Sequence, residues 1–494
     1  MMRGTTRGTA GWLAIIAVVA AGTSLLVGWK MRGDAGHLRA LLAAEIDRGS
    51  LVGLGRAQAI GRRVVLADPG DAEAAALLAF TSALLATEFG QGTLMEAEAM
   101  SSRADEAGAA KEPAAAALAG AARALVALRR GERAKALELA TAAASGGGGA
   151  AARCALGRVR AASGDLVGAS HALEGAMVEA PGFLPAKLAW AEVRLDLGDA
   201  VAAQAVLVPI VAKAPEDVRA RLLLEEASQM LVADPRGPGG ALAKPANAAL
   251  EAVCGQNGVL APYVVAGCAL AWSSRARFEG DRLRASTQAQ AAGRSVPDEP
   301  RMLARAAQLL AQQGFVDRAE KLLERAAKLA APDVPALAWA RLGVTLGHGR
   351  AATAPPGVRP TNSTTRVLAA RAAFAAGGAG ALAATLAAFG PDVVARDADL
   401  RLLATLTTPA ATGAPLAAKP SAAQAYVDGV RARLAGDALA AAENLGRALT
   451  NHADACRAAG EYIAALGTLK RHADAAAFNT LRAENAGCVN LPKP

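Results

Sequence analysis

Residues 150–217 read AAARCALGRVRAASGDLVGASHALEGAMVEAPGFLPAKLAWAEVRLDLGDAVAAQAVLVPIVAKAPED, and they hold one pattern written twice. Gly157, Gly164, Ala169, Leu173, Ala176 and Pro181 follow one another at gaps of 7, 5, 4, 3 and 5. Moving 34 residues along, Ala191, Gly198, Ala203, Leu207, Ile210 and Pro215 stand at the same gaps. A fixed period of this length, with small, large and proline positions all in register, marks a stacked helical repeat.

The chemistry of each position says why. Glycine in the turn (Gly164, Gly198) takes the left-handed conformation that ends a helix at no steric cost. The aspartate that follows (Asp165, Asp199) caps the next helix. Gly157 and Ala191 on the first helix oppose Ala169 and Ala203 on the second, so the two cross closely. Leu173 and Leu207 fill the groove against neighbouring units. Proline at 181 and 215 stops the second helix.

Working outward, the template recurs. Ala124, Gly131, Ala136, Ala140 and Ala143 precede the pair. Ala307, Gly314, Ala319, Leu323 and Ala326 form another unit, with Pro332 one place late, and Gly429, Gly436, Ala441, Leu445 and Ala448 a fifth. A weaker match runs through Gly378 and Ala383. Near the N-terminus Ala57, Gly61, Val64 and Pro69 fit only the second half. The pattern resembles the tetratricopeptide repeat family, closely over 150–217 and loosely over most of the chain. It departs from that family in the first helix, where Arg160 and Arg194 stand at a position that is commonly aromatic.

Composition agrees with an all-α solenoid of antiparallel helix hairpins. Of 494 residues 53% are hydrophobic but only 3% aromatic, so alanine and leucine, both good helix formers, carry the apolar content. The net charge is +9, with basic residues interspersed among acidic ones. The pairs Arg62-Arg63 and Arg129-Arg130 have no interleaved aromatic rings, which argues against a nucleic-acid groove. Cysteines at 154, 254, 268, 456 and 488 are odd in number and widely spaced. They read as buried thiols, with a Cys456–Cys488 bridge the alternative in an oxidising compartment.

Trp12 to Trp29, WLAIIAVVAAGTSLLVGW, is free of charge. At 1.5 Å per residue it spans roughly 27 Å, close to the bilayer's hydrocarbon thickness, with a tryptophan at each interface. A cleaved signal peptide ending near Val19-Ala20-Ala21 is the rival, but the apolar run continues through Leu25, Leu26 and Val27. Arg3 and Arg7 ahead of the segment favour an inner-membrane anchor with the bulk of the chain exported, although Lys30, Arg32, Arg39 and Arg48 flank its other side.

The expected organisation is a short tail (1–11), the anchor (12–29), an N-terminal array (37–233), a linker with degenerate helices (234–300), and a unit over 301–346. A Pro/Gly-rich linker (347–363), a C-terminal array (364–487) and a tail (488–494) follow. Segments 234–247, 293–300, 347–363 and 407–421 are too rich in proline and glycine to continue helices.

No phosphate-binding loop, nucleophile elbow or zinc-protease motif occurs. Gly378, Gly380 and Ala383 imitate a dinucleotide fingerprint, but a helix precedes them, so they read as a repeat turn. His452 and His472, each two residues before an aspartate, could join Cys456 and Cys488 at a metal. Turns with Asp454 and Asp474 as helix caps explain them better, and His37, His171 and His348 are isolated. No cofactor, metal or catalytic residue is therefore assigned, and the chain does not read as an enzyme.

In the resembled family, the first helices line a concave face that holds peptide segments of partner proteins. Carried over, that face comprises Arg129, Arg158, Glu192, Asp196, Gln308, Gln312, Tyr426 and Arg433. The resulting expectation is a membrane-tethered adaptor that binds partner proteins in a bacterial envelope complex. Two alternatives remain. One is self-association into a homo-oligomer, aided by the small pair Ala17 and Ala21 in the anchor. The other is an enzyme whose site lies in the middle segment near Cys254, Cys268 and Trp272.

Overall fold

The computed structural model describes residues 36–231, 251, 254–255, 261–279, 282–296, 298–312, 315–329, 335–348, 350–356, 358, 360, 363–396, 398–407, 422–449 and 455–485. The expected anchor at 12–29, with Ala17 and Ala21, lies outside them. So do the segments 234–247 and 408–421.

Every regular element among the described residues is helical. α1 covers 36–48, and α2 to α6 are Leu51–Ala67, Ala72–Phe89, Leu94–Glu106, Pro113–Arg129 and Arg133–Ser145. α7 to α11 are Gly149–Ala162, Leu166–Glu179, Leu184–Asp196, Ala200–Lys213 and Val218–Leu231. Beyond these come α12 (Pro262–Glu279), α13 (Arg282–Ser295), α14 (Pro300–Gln312), α15 (Val316–Leu329) and α16 (Pro335–Gly347). The C-terminal helices are α17 (Ser363–Phe389), α18 (Pro391–Arg396), α19 (Ala398–Ala404), α20 (Ala422–Leu434), α21 (Ala438–Ala448), α22 (Ala455–Thr468) and α23 (His472–Asn485).

The described residues group into two compact units, one drawn from Met1–Val159 and Ala172–Ala186, the other from Arg160–His171 and Lys187–Pro494. In the first, α3 is central and packs against α2, α4 and α5. Its Ala74, Ala75, Ala76 and Leu78 are buried with Val64, Val65, Ala104, Ala115 and Ala119. In the second, each helix packs on its successor from α12 to α17, and α12 also meets α14, as α14 meets α16. First helix against next first helix is the stacking that buries a continuous solenoid core.

The turn chemistry is what the repeat implies. Gly131, Gly164, Gly198 and Gly436 all have φ between 79° and 87°. The residue after each closes the turn by donating its backbone N–H across it: Asp165 to Arg160 at 3.0 Å, Asp199 to Arg194 at 2.8 Å, Asp437 to Ala432 at 2.9 Å. The three aspartates then cap the second helices, their carboxylates accepting from the N–H of Gly168 (2.8 Å), Ala202 (3.0 Å) and Ala440 (3.0 Å).

Arg160 and Arg194, the departures from the family pattern, have a shared use. Each reaches across its turn toward the capping carboxylate, Arg160 to Asp165 at 3.9 Å and Arg194 to Asp199 at 3.6 Å. Arg194 also lies over the Trp190 ring, 4.7 Å from its centroid.

In two of the repeat hairpins the close helix crossing rests on a glycine. A Cβ on Gly157 would stand 2.5 Å from Leu173, and one on Gly429 2.6 Å from Leu445. The leucine thus fills the space above the first-helix glycine of its own hairpin.

Several expectations change. Cys254 and Cys268, read as separate thiols, form a disulfide with Cα atoms 5.7 Å apart, while Cys154 is a buried thiol. The segment 293–300 interrupts the helices as expected, but only between the end of α13 at Ser295 and the start of α14 at Pro300. Proline is accommodated at that first-turn position because its missing N–H has no helical partner there. Helix α10 passes through Pro209 without ending.

Two described helices, Ala72–Phe89 and Thr365–Phe389, are long and apolar enough to cross a membrane by length and composition. The first is a core helix, 83% buried. The second is broken at Gly378 (φ 66°, ψ −154°), which divides it into two helices at the position read from sequence as a repeat turn.

Candidate functional site

The first helices of the second unit carry a charged band. On α9, Glu192 and Asp196 are one helical turn apart and share a face. On α14, Arg301 and Arg305 repeat that spacing. Arg301 contacts both α9 carboxylates: one guanidinium nitrogen is on Glu192 and the other is 2.7 Å from Asp196 Oδ1. From α11, Arg219 donates to the second oxygen of Glu192 at 2.8 Å. Glu226 of α11 accepts from Arg305 at 2.7 Å. Arg275 of α12 stands 3.9 Å from Glu225 of α11.

Only 18% of the Arg301 side chain is exposed, so this ion pairing proceeds at reduced dielectric. Burial raises the Asp196 carboxyl to about 6, against the pull of Arg301 and with help from Glu192 and Glu226. Burial also works against the Arg301 cation, but Asp196, Glu192 and Glu226 outweigh it and push its pKa well above the ordinary value. Asp217, the cap of α11, is likewise raised, by burial first, although it accepts from Ala220 N–H at 3.0 Å.

The other residues of the expected concave face are dispersed. Arg158 of α7, in the first unit, pairs with the buried Glu88 of α3 and donates to the Pro185 carbonyl at 3.4 Å. Arg129 is half-buried at the end of α5, and Gln308 half-buried on α14. Gln312 is the last residue of α14, and its side chain lies outside the described residues. Tyr426 is 3% exposed and sits in a core with Leu382, Val427, Val430 and Leu445, so it faces the packing rather than a groove. Arg433 is exposed and pairs with Glu461 of α22.

Of the expected set, then, Glu192 and Asp196 are joined through a common partner, Arg301. The sequence reading missed that arginine and Arg219. Their one visible signal was position, because Arg301 lies in the first turn of a first helix. His472 begins α23, where Arg471 and Asp474 pair at 2.7 Å, while Cys488 and His452 lie outside the described residues.

No family model and no curated protein matches the sequence. Among solved structures, one described as Naa15/Naa10 bound to HypK-THB matches at 14% identity and TM-score 0.24, covering 92% of this chain and 69% of that one. Yeast Tom70 matches at 11% identity and TM-score 0.27, covering 95% and 99%. Scores this low carry no argument about shape or activity. The class of the protein, an all-α array of antiparallel helix hairpins, rests on the turn and packing geometry above.

Proposed function

We propose that the chain is a membrane-tethered scaffold of tetratricopeptide type whose first-helix faces bind partner proteins in an envelope-associated complex. The observation that carries this reading is the band formed by Glu192, Asp196, Arg219, Glu226, Arg301 and Arg305, charged groups on the first helices α9, α11 and α14. Three carboxylates oppose three guanidiniums there, so the band suits a segment bearing charges of both signs. Such a segment would exchange with contacts the face now makes to itself.

Tethering is supported by Trp12–Trp29, and export by the Cys254–Cys268 disulfide, which is stable in oxidising compartments. The test is cross-linking in native cells followed by affinity capture, comparing the full chain with one lacking residues 1–30. Recovery of a defined partner that depends on the anchor is the expected outcome. Recovery of this chain alone would replace the adaptor reading with self-association.

A further inference from the structure

We propose that Asp317, Glu320 and His348 bind one divalent transition-metal ion of the zinc class. Asp317 and Glu320 lie one turn apart at the start of α15, on the same face of that helix. His348 follows α16 directly, its backbone N–H still bonded to Val344 at 3.0 Å. One ligand atom from each of the three residues falls within 4.8 Å of the others. A metal bonded at ~2.0–2.2 Å to each in a tetrahedral shell would hold its ligand atoms about 3.3–3.6 Å apart, so side-chain rotations that draw them in by about an ångström close the set.

Two observations point to a site rather than to a chance meeting of surface carboxylates. His348 is 5% exposed, and its Nε2 is directed at Glu320 Oε2, 3.3 Å away, whereas the Glu320 side chain is 47% exposed. A buried imidazole at the floor with carboxylates at the rim gives three protein ligands and leaves the outer positions to water. One nitrogen and two carboxylate oxygens suit zinc, cobalt or nickel better than calcium or magnesium, which prefer all-oxygen shells. The approach is also built into the backbone. A Cβ on Gly347 would stand 2.8 Å from Val316, so the glycine lets the end of α16 come against the start of α15 and seats His348 beside the carboxylates.

Bound metal would pin the second helix of the α14–α15 hairpin to the following helix, at the point where the Pro/Gly-rich segment 347–363 begins. The sequence showed none of this, since His348 is 28 residues from Glu320.

The test uses untagged full-length protein stripped with chelator and titrated with Co²⁺ by visible absorption and with Zn²⁺ by calorimetry. Wild type is expected to bind one ion per chain, with Zn²⁺ displacing Co²⁺. D317N and E320Q, which alter accessible side chains, should each weaken binding at least about tenfold while leaving the circular dichroism unchanged. H348Q should abolish binding if it folds; if it does not fold, the two carboxylate variants decide. Absence of a one-to-one Co²⁺ complex, or binding that D317N and E320Q leave unchanged, would overturn the proposal.

Discussion

The hairpin of α7 and α8 and the first-helix band of α9, α11 and α14 come from the same template and hold together by different means. In the hairpin, Leu173 lies against a bare glycine backbone, and small residues set the crossing distance. In the band, long charged side chains bridge helices that are far apart in sequence; Arg301 and Glu192 are separated by 109 positions. The crossing inside the hairpin is fixed by volume, whereas the band, like the Arg158–Glu88 pair that joins α7 to α3, is held by charge. Substitutions should therefore fail in opposite ways, through crowding in the first and through uncompensated charge in the second.

The largest effect is expected where charge is most deeply enclosed, at Arg158 and Glu88, whose side chains are 12% and 5% exposed. Arg158→Met leaves the Glu88 carboxylate buried without its cation and should cost about 3–5 kcal/mol in chemical denaturation. Adding Glu88→Leu should recover most of that loss, because two well-packed apolar side chains replace a buried ion pair at little cost. A double variant as unstable as the single one would mean that Arg158 acts through packing instead.

Next is the Cys254–Cys268 bridge, which closes a loop over a separation of 14 residues. Replacing both cysteines with serine should lower stability by about 2–3 kcal/mol, read as a denaturation midpoint that no longer responds to reductant.

Crowding ranks third. Gly157→Ala and Gly429→Ala each drive a methyl group against a leucine and should cost about 1–3 kcal/mol. The reverse change at the matching positions, Ala191→Gly and Ala307→Gly, should cost nearer 1 kcal/mol, through helix propensity alone. Equal losses in the two pairs would remove the distinction between glycine and alanine hairpins.

The most gradual effect is a pH dependence, spread over several pH units. The folded-state pKa of Asp196, about 6, is above its ordinary 3.8. Between these values the folded chain holds more protons than the unfolded one, so this group's contribution is complete below about pH 4 and falls as pH rises through 6. Asp196→Asn does not titrate there. Its Tm relative to wild type should therefore climb from pH 4 to pH 7, and a flat difference would refute the assignment.

What the sequence could reveal divides along the same line. Gly164, Gly198 and Gly436, with the aspartates that follow them, announce their role locally, because a left-handed turn and a helix cap each depend on neighbouring residues. The glycine–leucine approach was half visible, since period and size class were legible but not which leucine covers which glycine. Charge partners were hidden. Nothing near Glu192 marks Arg301 as its counterpart, and nothing near Tyr426 distinguishes a core tyrosine from a groove one. The Cys254–Cys268 pairing was obscured for the same reason, as it depends on how α12 is placed rather than on a motif.

The central claim, that partner proteins engage the first-helix face, is tested most directly by a photo-crosslinking residue placed in the full chain in cells. It would stand at Gln308 on the first helix α14 in one variant and at the exposed Val208 on the second helix α10 in another. A discrete partner adduct from position 308, absent at 208, is the result the account predicts. Adducts from 208 alone, or from both positions alike, would contradict it.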